Sequence, residues 1–272
     1  MNIGDGQLTA KPRRSGLTMA LDPGLPTRLF EDFLDSFSDL TDFVKFGWGT
    51  ALATPDIRTK IAIAQDHDVV PMLGGSFLER AWVDNQLSWA FRYISNDLGL
   101  ETLEVSNGTV EMEGADKRAL IRELATDFQV ISEVGMKDSQ KSPEMAPALW
   151  IDNMMKDLEA GASFVVAEAR ESGRSGICRE NGDLRIGLVT EILLSPVPNE
   201  KIIWETPTSA LQATMLLRGG QDTNLGNISM FDLVSVATLR LGLRSDTMRG
   251  VRLAKPKSVD DLPSRNPYPR LE

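Results

Sequence analysis

The chain has 272 residues, enough for one large α/β domain or two ordinary ones, and its 42% apolar and 25% charged content is that of a folded globular protein. A net charge of −10 argues against nucleic acid or an anionic membrane surface as a partner. No apolar run approaches the roughly 18 residues of a membrane span, and the lone Cys178 excludes an internal disulfide or a cysteine zinc site.

In chain order, residues 1–14 read as a flexible arm. The opening MNIGDGQLTAKPRR lacks the apolar stretch of a secretory signal, so a cytoplasmic location is expected. GLTMALD reads as a strand closing on Asp22, and Leu29, Phe30, Phe33, Leu34 and Phe37 line one face of a helix whose first turn Pro26 suits. DFVKFGWG is a strand carrying Lys45. The only histidine, His67, follows in AQDHDVV at a helix end before a strand. That is the wrong end of an α/β unit for chemistry, so triads built on histidine are excluded and acid–base work falls to Lys, Glu or Asp.

LGGS at 73–76 closes a third strand and opens a helix, and LETLEVSNG carries Glu104. VISEVGMK carries Glu133 and Lys137, and a helix over 144–161 presents Leu149, Trp150, Met154 and Leu158 before Gly161 stops it. FVVAEARESG brings Glu168 and Arg170, IIWETP brings Glu205, and LGNIS at 225–229 precedes a last helix in FDLVSVATLRLGLR. From Val251 the chain is rich in proline and charge and reads as a tail.

Eight strands starting near 17, 43, 69, 101, 129, 163, 201 and 223 recur about every thirty residues, the length of one strand, one helix and two loops. Such alternation predicts a parallel α/β architecture, and LDPGLP after the first strand is no dinucleotide fingerprint, which disfavours an open doubly wound sheet. The expected fold is a (β/α)8 TIM barrel, a single catalytic domain over 15–250. In that fold all strand ends meet on one face, so residues scattered over the chain would share one pocket.

Lysine inside a strand buried on both faces implies a paired ammonium, which singles out Lys45. Gly74 and Gly75 at a helix start, and Gly226 and Asn227 before the last helix, are candidate anion sites through their backbone N–H groups. Arg170 and Ser172 supply donors for an anion, with an ion pair to Glu171 as the plain structural alternative. Glu104, Glu133, Glu168 and Glu205 each end an apolar strand. Together they would repel unless a cation balanced them, and Mg²⁺ takes one or two such carboxylates. The Mg²⁺ ligands are sought among Glu133, Glu168 and Glu205; the remaining glutamates would pair with Lys45, Lys137 or Arg170. Lys137, four residues past Glu133, is a candidate proton carrier.

The segments SGLTMALDPGL, DFVKFGWGTAL, LGGSFLE, LEVSNGT, SEVGMKD, EARESG, NLGNI and TLRLGLRSDT, in this order over 15–247, resemble the phosphosulfolactate synthase family. The resemblance implies a (β/α)8 barrel lyase that forms a carbon–sulfur bond. It joins sulfite to phosphoenolpyruvate by Michael-type addition through an enediolate stabilised by Mg²⁺, giving 2-phospho-3-sulfolactate for coenzyme M or other sulfonate pathways. It also implies a homo-oligomer and places the family's proton-donating lysine on Lys137. Lys45 joins it as a catalytic candidate, with Arg170, Ser172, Gly226, Asn227, Gly74 and Gly75 toward substrate. Met136, Asn107 and Ser209 depart from the family pattern, which keeps two alternatives open: another nucleophile added to phosphoenolpyruvate, or a barrel that binds without catalysis.

Overall fold

The computed structural model describes residues 8–135, 145–170 and 172–251. Eight parallel strands close into a barrel in sequential order: β1 Thr18–Asp22, β2 Phe43–Phe46, β3 Val70–Leu73, β4 Thr102–Val105, β5 Gln129–Val134, β6 Phe164–Ala167, β7 Ile202–Glu205 and β8 Asn224–Ser229. Around them lie α1 Thr27–Phe37, α2 Thr50–Ala53, α3 Ile57–Asp66, α4 Ser76–Val83, α5 Leu87–Arg92, α6 Gly114–Leu124, α7 Pro147–Glu159, α8 Ile186–Leu194, α9 Ser209–Gly219 and α10 Leu233–Arg240. The architecture is the expected (β/α)8 barrel. Among the described residues no helix is long and apolar enough to cross a membrane.

The helices start where local chemistry allows. Pro26 immediately precedes α1, Pro147 opens α7, where its missing N–H costs nothing, and the Thr208 hydroxyl accepts from Leu211 N–H at the head of α9. Phe30 and Leu34 of α1, and Trp150 and Met154 of α7, are buried against the strands.

Strand alternation divides the core in two. Residues such as Val44, Leu103, Val130, Val165, Trp204 and Leu225 pack outward with the helices, while Met19, Phe43, Met72, Ile131, Val166 and Ile203 plug the barrel interior. Two residues beyond those plugs, the next inward positions are Lys45, Glu133, Glu168 and Glu205. The same strands that fill the barrel with apolar side chains therefore present charge at its mouth.

At the opposite end, Arg240 donates to the carbonyls of Gln221, Thr223 and Leu17, stitching β8 to β1. Of the expected arm, residues 8–14 are described. Lys11 Nζ donates to the Asp68 carbonyl, and Arg13 pairs with Asp42 at 3.0 Å.

Candidate active site

A cavity of about 200 Å³ opens at the C-terminal ends of the strands, the face where barrels carry their chemistry. Its floor is Lys45, Glu104, Glu133, Glu168 and Glu205; its rim includes Leu21, Trp48, Ser76, Thr109, Arg170 and Asn227. Lys45, Glu133, Glu168, Glu205, Arg170, Gly74, Gly75 and Asn227 were all anticipated and all line it.

Lys45 reaches into the centre, 4% exposed, with Gly74 packed beside its aliphatic stem: a Cβ there would lie 3.5 Å from Lys45 Cδ. Its ammonium bridges Glu205 Oε1 at 2.9 Å and Glu104 Oε2 at 3.2 Å. The other oxygen of each carboxylate is also engaged: Glu104 Oε1 accepts from Gly75 N–H and Glu205 Oε2 accepts from Ala169 N–H. Burial alone would lower the Lys45 pKa, but Glu104, Glu205 and Glu133 outweigh it and raise it above the ordinary lysine value. Lys45 is thus a fixed positive charge, unable to release a proton near neutrality. Burial raises Glu205 to about 7. Lys45 opposes that rise while Glu133 and Glu104 reinforce it.

Glu168 sits one residue past β6 with Gly135 opposite. A Cβ at Gly135, whose φ is +153°, would come within 2.7 Å of Glu168 Oε2, so only glycine admits the carboxylate there. Glu133 stands on the adjacent strand β5, 5% exposed. The mouth therefore gathers four carboxylates around Lys45 and Arg170, an excess of negative charge among the described residues.

Mg²⁺ chemistry fits this donor set. Glu133 and Glu168 offer hard oxygen ligands on neighbouring strand ends. Among the described residues no group of three or more His, Cys, Asp or Glu side chains is arranged to hold a metal ion, so substrate and water oxygens would complete any coordination shell. Glu205, also expected as a ligand, has both oxygens engaged by Lys45 and Ala169.

Several expectations are redrawn. Gly74 N–H donates to the Phe46 carbonyl and Gly75 N–H to Glu104, so neither offers a donor to an anion. Gly226 is a strand residue opposite Glu205; a Cβ there would meet Ile203 Cγ2 at 2.9 Å, so its role is close packing. Asn227 turns out of β8 with φ +52° and faces the cavity. Ser172 is exposed and does not line the mouth. Asp22 faces outward: its Oδ1 accepts from Gly24 and Leu25 N–H, and its carboxylate pairs with buried Lys60 of α3, shaping the loop after β1. Lys137, Met136 and Glu171 lie outside the described residues. His67 caps α3 far from the mouth, bonded to Asp35 and the Ile63 carbonyl.

Sequence reasoning passed over the rim residues Leu21, Trp48, Ser76 and Thr109. Trp48 between two glycines was the available signal: it takes φ +52°, uncommon for a bulky residue, and is 51% exposed at the cavity edge.

A closed parallel barrel with a buried lysine among strand-end glutamates defines a barrel enzyme suited to stabilising charge on a small oxygen-rich substrate. Residues 6–246 match the family described as (2R)-phospho-3-sulfolactate synthase (ComA). The chain is 40% identical to the phosphosulfolactate synthase of Bacillus subtilis (strain 168) over 88% of its own length and 94% of that protein. It is 41% identical to that of Methanothermobacter thermautotrophicus over 90% and 96%. Among solved structures, 3-hexulose-6-phosphate synthase from Salmonella typhimurium superposes with a TM-score of 0.52 at 13% identity, covering 84% of this chain and 100% of that one, a likeness of fold alone. The chain belongs to the phosphosulfolactate synthase family, lyases that add sulfite to phosphoenolpyruvate.

Proposed function

We propose that the mouth described above joins sulfite to phosphoenolpyruvate, with Glu133 and Glu168 holding Mg²⁺ and Lys137 delivering the proton. The carrying observation is the convergence of Lys45, Glu133, Glu168 and Arg170 on one cavity in a chain of this family. In the reaction the sulfite sulfur bonds to the methylene carbon, the π pair moves toward the carboxylate, and a proton then closes the carbon that bears phosphate. Bound Mg²⁺ would supply positive charge to the carboxylate as that pair arrives.

The chain's own groups divide the rest. Lys45 holds Glu104 and Glu205 in place and contributes a charge that does not titrate away. Exposed Arg170 at the rim is suited to a phosphate or sulfonate, which its planar fork can grip with two donors. Asn227, turned into the cavity, offers an amide to the same anions. Lys137 follows Glu133 by four residues in the sequence, past the end of β5. A lysine near desolvating walls or other cations can have its pKa brought toward neutrality for proton transfer.

Sulfite is favoured over another nucleophile by where two departures fall. Asn107 donates to the Met112 carbonyl, and Ser209 is exposed at the first turn of α9; neither lines the mouth. The test is to mix purified protein, phosphoenolpyruvate and Mg²⁺, with and without sulfite, and follow phosphorus NMR. A new phosphorylated product that requires sulfite is expected. Product only with a different nucleophile would favour the alternative, and none at all would sink the reading. The enzyme is further proposed to be a cytoplasmic homo-oligomer, which light scattering and cell fractionation test.

A further inference from the structure

The outer face of β5 carries a polar cluster that the reaction scheme leaves unused. Between the strands and helices of a barrel the filling is apolar, and here Val130, Ile121, Leu124, Trp150 and Met154 obey that rule. Into the same layer α6 sends Lys117 and α7 sends Asp157, 4% and 1% exposed. Lys117 Nζ donates to Asp157 Oδ2 at 2.9 Å and to the backbone carbonyl of Glu133 at 2.6 Å. Ser132 Oγ donates to the same Asp157 oxygen at 2.7 Å.

Register explains why that carbonyl needs an outside donor. Residues 129, 131 and 133 turn their backbone groups toward β4, as Gln129 N–H does in bonding the Glu101 carbonyl. Residues 130, 132 and 134 turn toward β6, whose neighbours Ser163 and Glu168 donate to the Val130 and Val134 carbonyls. The β4 ladder ends at Val105 opposite Ser132, so the Glu133 carbonyl lies beyond its last rung. A buried ion pair is seldom more stabilising than well-packed apolar side chains of the same volume, so stability alone does not account for Lys117 and Asp157.

We propose that Lys117, oriented by Asp157 and Ser132, is a positioning residue: it clamps the peptide at the end of β5 so that the Glu133 carboxylate faces the mouth. The clamp rests on the reading of Glu133 as a Mg²⁺ ligand. It belongs to the layer behind the ligands, where partners set ligand orientation and their loss costs about 10–100-fold in metal affinity or activity. Lys117 does not line the mouth. Its effect passes through the direction of the Cα–Cβ bond of Glu133.

The decisive variant is the double substitution Lys117→Met with Asp157→Leu, which exchanges the pair for apolar groups of similar volume. Thermal unfolding, Mg²⁺ binding in the presence of phosphoenolpyruvate by titration calorimetry, and turnover would be measured beside the wild type. The expected result is a folded protein with a lowered unfolding midpoint, since the Glu133 carbonyl and Ser132 hydroxyl lose their partners, and, below that midpoint, Mg²⁺ affinity weaker by about 10–100-fold with a fall in turnover of similar size. Affinity and turnover within threefold of an active wild type overturn the clamp. An inactive wild type instead overturns the proposed reaction, so the two failures are separable. Should the double variant not fold, Ser132→Ala decides: it removes one hydroxyl that orients Asp157. Several-fold weaker Mg²⁺ binding at an unchanged midpoint supports the clamp, and wild-type binding overturns it.

Discussion

The two ends of this barrel bury charge in opposite ways. At the bottom, the Arg240 guanidinium donates to three backbone carbonyls and approaches the Thr18 hydroxyl, and Asp42 accepts from Thr18 N–H and pairs with Arg13. Asn224 joins in, accepting from Leu17 N–H and donating to the Glu200 and Ile202 carbonyls. These charged and polar groups tie chain segments together across the seam of β8, β1 and β7. At the mouth, by contrast, Glu104, Glu133, Glu168 and Glu205 crowd one lysine and one arginine among the described residues. Charge at the bottom is matched to backbone and serves closure. At the mouth, among the described residues, carboxylates outnumber cationic groups, an arrangement suited to an incoming cation.

Substitutions at the two ends should therefore fail differently, and the largest effect belongs to the mouth. Lys137→Ala is expected to lower turnover by about 10²–10⁴-fold, the usual contribution of a positioned general acid, while phosphoenolpyruvate binding by calorimetry persists. Unchanged turnover would remove Lys137 from the scheme. Arg240→Met should do the reverse. Removing a charged donor from buried carbonyls costs about 3 kcal/mol, while kcat and KM of the folded fraction stay at wild-type values. A drop in kcat without a drop in unfolding midpoint would blur the division between the ends.

Glu205 sharpens it further. Its folded pKa of about 7 lies above the ordinary glutamate value of 4.5, so the ligand-free folded state binds the extra proton between those values. Stability of the ligand-free protein should rise as pH falls from 7 toward 4.5. In Glu205→Gln this component of the slope should vanish from denaturation midpoints measured across that window. A slope identical to wild type would mean that Glu205 is ionised throughout.

The smallest effect is expected far from both clusters. His67, bonded to the Ile63 carbonyl and to Asp35, has its pKa raised by those two partners in that order. The raised value means its contribution is present below about pH 6.5 and lost as pH climbs through the folded pKa. The Asp35 side chain is 63% exposed, so solvent screens the pair, and His67→Gln should change stability by about 1 kcal/mol at most with no change in turnover.

The strand positions were legible because parallel strands buried on both faces read as short apolar runs between turns. The expected start at 43 matches β2, and those at 69, 101, 163 and 201 fall one residue from β3, β4, β6 and β7. Legible too were the floor residues Lys45, Glu133, Glu168 and Glu205, because a charge closing an apolar strand stands out against its neighbours. Less legible were the glycines. Gly75 and Gly226 read as anion-binding turns, whereas Gly75 N–H serves Glu104 and Gly226 clears Ile203. Both roles depend on side chains arriving from other strands, about which a local motif carries no information. Asp22, read as one of the strand-end charges, turns outward to Lys60, and Lys117 escaped altogether. Each pairs with a residue roughly forty positions away, which local sequence does not reveal.

Periodicity and strand-end charge, read along the chain, determined the barrel and the glutamate-lined character of its mouth, since apolar spacing dictates which elements form and a parallel order of strands directs their ends to one face. Only closure of the sheet decided which groups meet: that Lys45 would lie between Glu104 and Glu205, that Glu133 and Glu168 would stand on adjacent strand ends, and that Lys117 would reach the Glu133 carbonyl from behind. Hydrogen bonds and ion pairs act over about 3 Å, a separation that the register between strands sets and that distance along the chain does not.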